Sequence, residues 1–392
     1  MPTFSNKRYE LFDGPQAVTQ LKKSLLITFI LIIAFTSFAS YLYFKGHISK
    51  PIPLENFSVQ PTWIIHTDEN IISTPLVQDK FLFIRTTGSL CKYYVKDLEI
   101  DWCVKSRSDV DIETIPLIYN DYIAVPENDS IIAVFSTENG RLRWRAGVEN
   151  ATAFIEALSI SDEKLFVARY DQKITAYNLV DGDILWSDYV PSRSSLYLAS
   201  DPQTIFLAGG RKLIAYDIAS GDILWSEKIS AIYGPILLLD KVLYITLYRS
   251  ISVAIAFDTE KRTEMWRVPS SFTLDFNSKF ISYSGNNILI GDHQLIAINK
   301  DSGQITWNTD FSNVTLERPI AIGDQIYIKG ENSKEVQTMI YSLESETGQI
   351  TGRLLIQTDP TFNTLPERSP NTIDDLLIVP FGDGLIYAYP TK

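Results

Sequence analysis

Seven tryptophans are spaced almost evenly along this chain, and that spacing constrains the fold more than any other feature. They stand at Trp63, Trp102, Trp144, Trp186, Trp225, Trp266 and Trp307, 39 to 42 residues apart. A fixed period of this length is the signature of a repeat architecture built from one supersecondary unit. Each tryptophan ends a shared phrase. One copy reads KLIAYDIASGDILW from Lys212 to Trp225, another KITAYNLVDGDILW ending at Trp186, and a third QLIAINKDSGQITW ending at Trp307. Ten residues before the tryptophan stands Ala176, Ala215, Ala256 or Ala297; four before it stands Gly140, Gly182, Gly221 or Gly303.

The phrase encodes a β-hairpin. LIAYDI carries strand-forming residues and ILW begins the partner strand. Between them ASGD or VDGD supplies a glycine able to take the positive φ of a short loop. Two further apolar runs precede each hairpin, such as PILLLD and KVLYITL before Trp266. Four short strands per repeat make one blade of a β-propeller. The tryptophans are then expected to dock neighbouring blades, burying a large flat indole whose N–H reaches a backbone carbonyl.

Two slots of the repeat each predict eight blades. The tryptophan slot is filled seven times and then by Gly352, after the related segment SLESETGQITG with its hairpin glycine Gly348. The bulky slot nine residues earlier, or ten in the second copy, holds Tyr93, Val134, Tyr177, Tyr216, Phe257, Ile298, Leu343 and Tyr389. Trp63 precedes any complete blade, while the last unit stops three residues after Tyr389. The strand around Trp63 is expected to complete that unit and close the ring, which removes an exposed sheet edge. The expected fold is therefore all-β: an eight-bladed propeller of four-stranded blades over 61–392.

The rest of the chain divides into three parts. Residues 24–44, SLLITFILIIAFTSFASYLYF, carry no charge. As a helix they would span about 31 Å, the thickness of a bilayer core. Lys7, Arg8, Lys22 and Lys23 precede this segment, against Lys45 and Lys50 after it. This bias predicts a single-pass anchor with residues 1–23 cytoplasmic and the propeller extracytoplasmic, the periplasm in a bacterium. The competing reading is a cleaved signal peptide with the small-x-small site Ser37-Phe38-Ala39. The long leader and long apolar run favour the anchor. Residues 45–60, with Pro51 and Pro53, read as a linker.

Composition narrows the function classes. A net charge of −12 argues against a nucleic-acid partner, which needs a basic face. Only two cysteines and three histidines occur, and His47, His66 and His293 lie far apart, so no metal or cofactor site is expected. Cys91 and Cys103 fall at nearly opposed positions on neighbouring strands of blade 1. They read either as a cross-strand disulfide or as two buried thiols. Asp217 and Asp258 fall in repeated turn positions, where side chains accept local backbone hydrogen bonds. No G-x-S-x-G elbow or phosphate-loop motif is present. No catalytic residue is singled out, and the chain reads as a non-enzyme.

The phrase A-Y-D-x-x-x-G-x-x-x-W, from Ala215 to Trp225, resembles the repeat of the PQQ-like propeller superfamily over about 61–392. Leu98 and Arg262 depart from it at the glycine, and Gly352 at the tryptophan. Within that superfamily the compact blades are most similar to the BamB family of outer-membrane barrel assembly factors. That resemblance implies a non-catalytic scaffold, without cofactor, that binds a protein partner through loops on one rim. That family is typically lipid-attached through a cysteine, where this chain has an apolar segment. Quinone-dependent dehydrogenases share the repeat but carry long insertions and adjacent cysteines, which this chain lacks. A binding module of another lumenal or extracellular membrane complex is a further alternative.

Overall fold

The computed structural model describes residues 60–106, 115–127, 130–147, 154–190, 194–247, 252–269, 280–311, 313–332, 337–356, 368–381 and 383–391. The apolar segment 24–44, the leader 1–23 and nearly all of the 45–60 linker lie outside them. Among the described residues no helix is long and apolar enough to cross a membrane.

The described chain folds into eight antiparallel sheets, each following the next in sequence. Blades 1 to 8 occupy residues 76–105, 117–146, 155–189, 196–228, 232–269, 280–310, 315–356 and 371–390. Blades 1 to 6 have four strands in simple meander order. Blade 7 differs: its first strand is broken into Thr315–Leu316 and Ile320–Ile322, both paired with Gln325–Asn332. Pro319 sits in the break and cannot donate to the ladder. Blade 8 supplies three strands itself and takes its fourth from the start of the described chain, Trp63–His66. That strand pairs with the third strand of blade 8, Trp63 opposite Ala388 and His66 opposite Leu385.

The core is divided into eight, each part lying between two blades. One cluster joins Phe166, Ile174 and Ala176 of blade 3 to Leu196, Ile205 and Tyr216 of blade 4. The cluster between blades 8 and 1 joins Ile65, Ile378 and Ile386 to Ile71, Leu82 and Cys91. This arrangement explains the burial pattern. The second and third strands of a blade are covered on both faces, so KLFVAR and KITAYN are almost wholly buried. Fourth strands alternate exposed and half-buried residues, as in ILWSDY. Such alternation is the mark of a sheet edge with one packed face.

The tryptophans and glycines interlock from blade to blade. Each indole lies on the fourth strand, and most stand opposite an alanine of the third: Trp186 faces Ala176, Trp225 faces Ala215, Trp307 faces Ala297. A β-bulge follows at once in every one of these pairs. The indole then covers the hairpin glycine of the next blade. A Cβ on Gly182 would lie 2.6 Å from the Trp144 ring, and one on Gly221 2.5 Å from the Trp186 ring. Gly140, Gly303 and Gly348 meet Trp102, Trp266 and Trp307 in the same way. All five glycines have positive φ. Two constraints therefore coincide, a left-handed backbone and no room for a side chain.

Five indoles donate to the carbonyl that follows the third strand of the next blade. Trp102 bonds Thr137, Trp144 bonds Leu179, Trp186 bonds Ile218, Trp266 bonds Lys300 and Trp307 bonds Ser345, at 2.8–3.2 Å. Among the described residues only Trp63 and Trp225 lack this bond, and their glycine slots hold Leu98 and Arg262, at φ 61° and 59°. In both cases a side chain stands where the other slots have a glycine. Arg262→Gly should therefore remove a left-handed penalty and let Trp225 bond Thr259. The expected gain is about 1 kcal/mol, less the extra freedom glycine has when unfolded. Denaturant titration measures the gain, and slowed exchange of one indole N–H marks the new bond.

Candidate interaction surface

In each blade the first and third hairpin turns lie at one end of the ring, because alternate turns of a meander share an end. This turn end is uniformly tied down. In all eight blades the residue after the third strand donates its N–H to the first turn, as Leu179 does to Glu163 and Thr391 to Asp375. Side chains here serve the turns themselves. Asp217 accepts the N–H groups of Ala219 and Ser220, and Asp258 those of Glu260 and Lys261. The Ser220 amide holds the Asp217 carboxyl below its usual range, and the Lys261 ammonium does the same for Asp258.

The opposite end carries the second turns and the points where one blade leads out and the next begins, such as Ser106, Gly147, Phe154 and Val190. Here charged side chains are drawn inward. Arg85 of blade 1 is 1% exposed and donates to the Pro126 carbonyl of blade 2; Arg169 of blade 3 donates to Ser130 at 2.5 Å. Glu127 is buried beneath Arg145, whose Nη2 lies 2.8 Å from its carboxylate. Burial pulls the Arg85 guanidinium down to about 10, opposed by Glu127, so it stays protonated at neutral pH. On the other side of the ring, buried Lys329 lies 2.9 Å from Glu317 and 3.2 Å from Glu331. These charges brace the second turn of blade 2 and the broken first strand of blade 7.

Glu69 clasps the seam where the ring closes. Its carboxylate accepts from Thr86 Oγ1, from the Gly88 amide at 3.0 Å and from Ser89 Oγ at 3.0 Å. The Thr86 bond does most to hold its carboxyl below the usual glutamate range, against a smaller opposing effect of burial. A lowered pKa means stability that is present at neutral pH and lost as pH falls through the carboxylate range. Glu69→Gln should cost about 1 kcal/mol at pH 7, after discounting for partial exposure. It should also flatten the acid limb of the stability profile between pH 5 and 3, read by urea titration at several pH values.

Blade 3 presents an aromatic patch at the same end. Phe154 is 46% exposed, Tyr170 60% and Tyr189 61%. The first two rings meet edge-on at 6.2 Å, and the Tyr170 amide donates to the Phe154 carbonyl. Tyr189 reaches the patch from the fourth strand and donates its hydroxyl to Gln172. Exposed aromatics held by their own backbone are the side chains that anchor protein interfaces at small entropic cost.

The residues singled out in the sequence fall at the joints of the ring. The seven tryptophans and five hairpin glycines lie between blades and do not converge on a pocket. Cys91 and Cys103 are directly paired across blade 1 with Cα atoms 4.2 Å apart, and their sulfurs are joined. The link ties a third strand, which belongs to the core, to its exposed neighbour. His293 faces the Val314 carbonyl, 2.8 Å from Nδ1, and His66 lies exposed at the end of its strand. His47 lies outside the described residues. Among those residues no three His, Cys, Asp or Glu side chains group to hold a metal ion. The aromatic patch escaped the repeat pattern because its rings come from separate parts of blade 3: the start of the first strand, the second turn and the end of the fourth strand. A sign was still present: Tyr170 occupies the turn that Gly210 fills in blade 4.

Comparison with known proteins places this architecture. No curated protein sequence matches the chain. Among solved structures, BamB from Moraxella catarrhalis is 18% identical and superimposes with a TM-score of 0.64, over 86% of this chain and 98% of that one. The computationally designed Ika8 protein reaches 0.65 at 13% identity, over 83% and 98%. The quinohemoprotein alcohol dehydrogenase of Comamonas testosteroni reaches 0.64 at 10% identity, over 85% of this chain and 76% of the enzyme. At such identities these likenesses establish the fold alone, a fold that serves an assembly factor, a design and an enzyme. The family model described as outer membrane protein assembly factor BamB matches residues 52–155, 120–234 and 249–392, nearly the whole propeller, and the chain belongs to that family.

Proposed function

We propose that the chain is a non-catalytic protein-interaction scaffold, anchored by residues 24–44 with the propeller on the extracytoplasmic side. Its partner docks on the end of the ring that carries the connecting segments. The exposed trio Phe154, Tyr170 and Tyr189 carries this reading. Three large rings from one end of blade 3 stand largely in water, and Tyr-rich patches of this kind form the centres of protein interfaces. The family assignment supports a barrel assembly complex as the setting. Neither the anchor nor a cytoplasmic N-terminus follows from the propeller itself; both rest on the apolar run and the lysines around it.

The test is crosslinking of tagged full-length protein in native membranes, followed by gentle solubilisation and identification of what is recovered. A barrel assembly component, lost with Phe154→Ala/Tyr170→Ala/Tyr189→Ala, is the expected result. A reproducible but different complex would keep the scaffold and discard the barrel-assembly setting. Recovery unchanged by the triple substitution would remove the patch from the interface. A quinone-dependent dehydrogenase is the second reading, favoured by the likeness to the Comamonas enzyme. Quinone- and calcium-dependent dye reduction by the purified chain would replace the scaffold with it.

A further inference from the structure

Blade 7 has no tryptophan, and the structure has a hole where the indole belongs. Gly352 lies opposite Ser342 with a bulge directly after, the register in which Trp307 lies opposite Ala297 and Trp266 opposite Ala256. Beside it, between blades 7 and 8, opens a cleft of about 270 Å³. Its walls include Tyr327, Ile340 and Leu354 of blade 7, with Leu377 and Tyr389 of blade 8. Elsewhere the next blade's third hairpin turn floors such a slot. Blade 8 has no such turn, because its fourth strand comes from the other end of the described chain. No turn of blade 8 itself therefore floors this slot.

Two features show what it would accept. The carbonyl corresponding to the indole acceptors is that of Thr391, since the Thr391 amide bonds Asp375 as the Ser345 amide bonds Asp324. Tyr327 donates its hydroxyl to that carbonyl at 2.8 Å. A tyrosine there does not bar an indole. Between blades 5 and 6, Tyr244 and Trp266 both reach the Lys300 carbonyl, at 3.4 and 2.8 Å, with ring centroids 5.8 Å apart. A carbonyl has two lone pairs and can serve both. The cleft between blades 7 and 8 thus keeps the acceptor, the neighbouring ring and the apolar walls, and lacks the indole and the turn beneath it. Its size lies near the lower end for small-ligand pockets, and a few polar groups on apolar walls suit such a site.

We propose that this cleft is a binding site for a planar bicyclic aromatic group of indole size, with its N–H donated to the Thr391 carbonyl. The group can be a tryptophan side chain of a polypeptide or a free heterocycle. The inference rests on the blade repeat and stands apart from the scaffold reading. To test it, a diazirine-bearing indole probe is photolysed with the full-length chain and the adducts are mapped by peptide mass spectrometry. Labelling confined to the cleft, lost on addition of excess free indole, is expected. Gly352→Trp fills the slot from within and should abolish labelling while retaining a cooperative thermal transition. Competition by N-acetyltryptophanamide as well as indole points to a polypeptide source; competition by indole alone points to a free heterocycle. Labelling spread over the surface, or unaffected by free indole, overturns the proposal irrespective of how the variant folds. Equal labelling of a folded Gly352→Trp protein overturns it too.

Discussion

Trp144→Ala should destabilise the propeller by about 3–5 kcal/mol, the range for deleting a large buried aromatic. Trp144 is 8% exposed, stacks on Tyr177 with ring centroids 5.6 Å apart and donates its N–H to the Leu179 carbonyl at 2.9 Å. Its ring also covers Gly182. Removal would open a cavity, orphan a carbonyl and uncover a left-handed turn at once. Trp144→Phe keeps much of the apolar area and loses the hydrogen bond, so it should cost less than half as much. Denaturant midpoints measure both, and hydrogen exchange locates the damage. Because each core is shared by only two blades, the loosened amides should be those of blades 2 and 3. A loss of under about 1 kcal/mol for the alanine variant would mean that indoles do not dock the blades.

Ile65→Asp should cost about 3–5 kcal/mol and cause self-association, because it attacks the strand that closes the ring. Ile65 is buried at 5% exposure in the cluster between blades 8 and 1, on the four-residue strand Trp63–His66. A carboxylate there has no partner among the apolar residues of that cluster, and displacing the strand is the cheapest relief. The freed third strand of blade 8, Leu385–Pro390, then presents unpaired N–H and C=O groups to other chains. Its neighbour makes the control. Ile64 is 39% exposed on the same strand, so Ile64→Asp should stay within about 0.5 kcal/mol and remain monomeric. Light scattering across a concentration series separates the two. Equal behaviour of the variants would argue that closure by this strand contributes little.

Much of the fold could be read from the chain because it is written several times. Tryptophan spacing and the glycine four residues earlier encode a hairpin whose two demands, positive φ and a close ring, are local in form. Repetition turns a weak propensity into a count, and the vacancy in the last unit shows where the first strand belongs. The interrupted first strand of blade 7 was less legible, since Pro319 in a connecting run looks like any loop proline. The buried pairs Arg85–Pro126 and Lys329–Glu317 left no mark on the pattern either. Arg85 stands at the end of its strand and Lys329 beside the broken first strand of blade 7, where the repeat no longer dictates the residue.

What the sequence determined by itself is the part that depends on neighbours along the chain: strands, turns, blade number and order. What only the tertiary structure decided is what blades do to one another. Gly352 was visible as a departure from the repeat, but the cleft beside it is made by walls from two blades. Phe154, Tyr170 and Tyr189 were ordinary residues far apart in the repeat until the meander brought them to one end. Leu98 and Arg262 looked like tolerated substitutions, and the cost of each appears only against an indole from the preceding blade. The physical reason is common to all of these. A hairpin is closed by bonds within a few residues, whereas an indole slot, an aromatic patch or a buried ion pair is made by surfaces that meet only once the ring has formed.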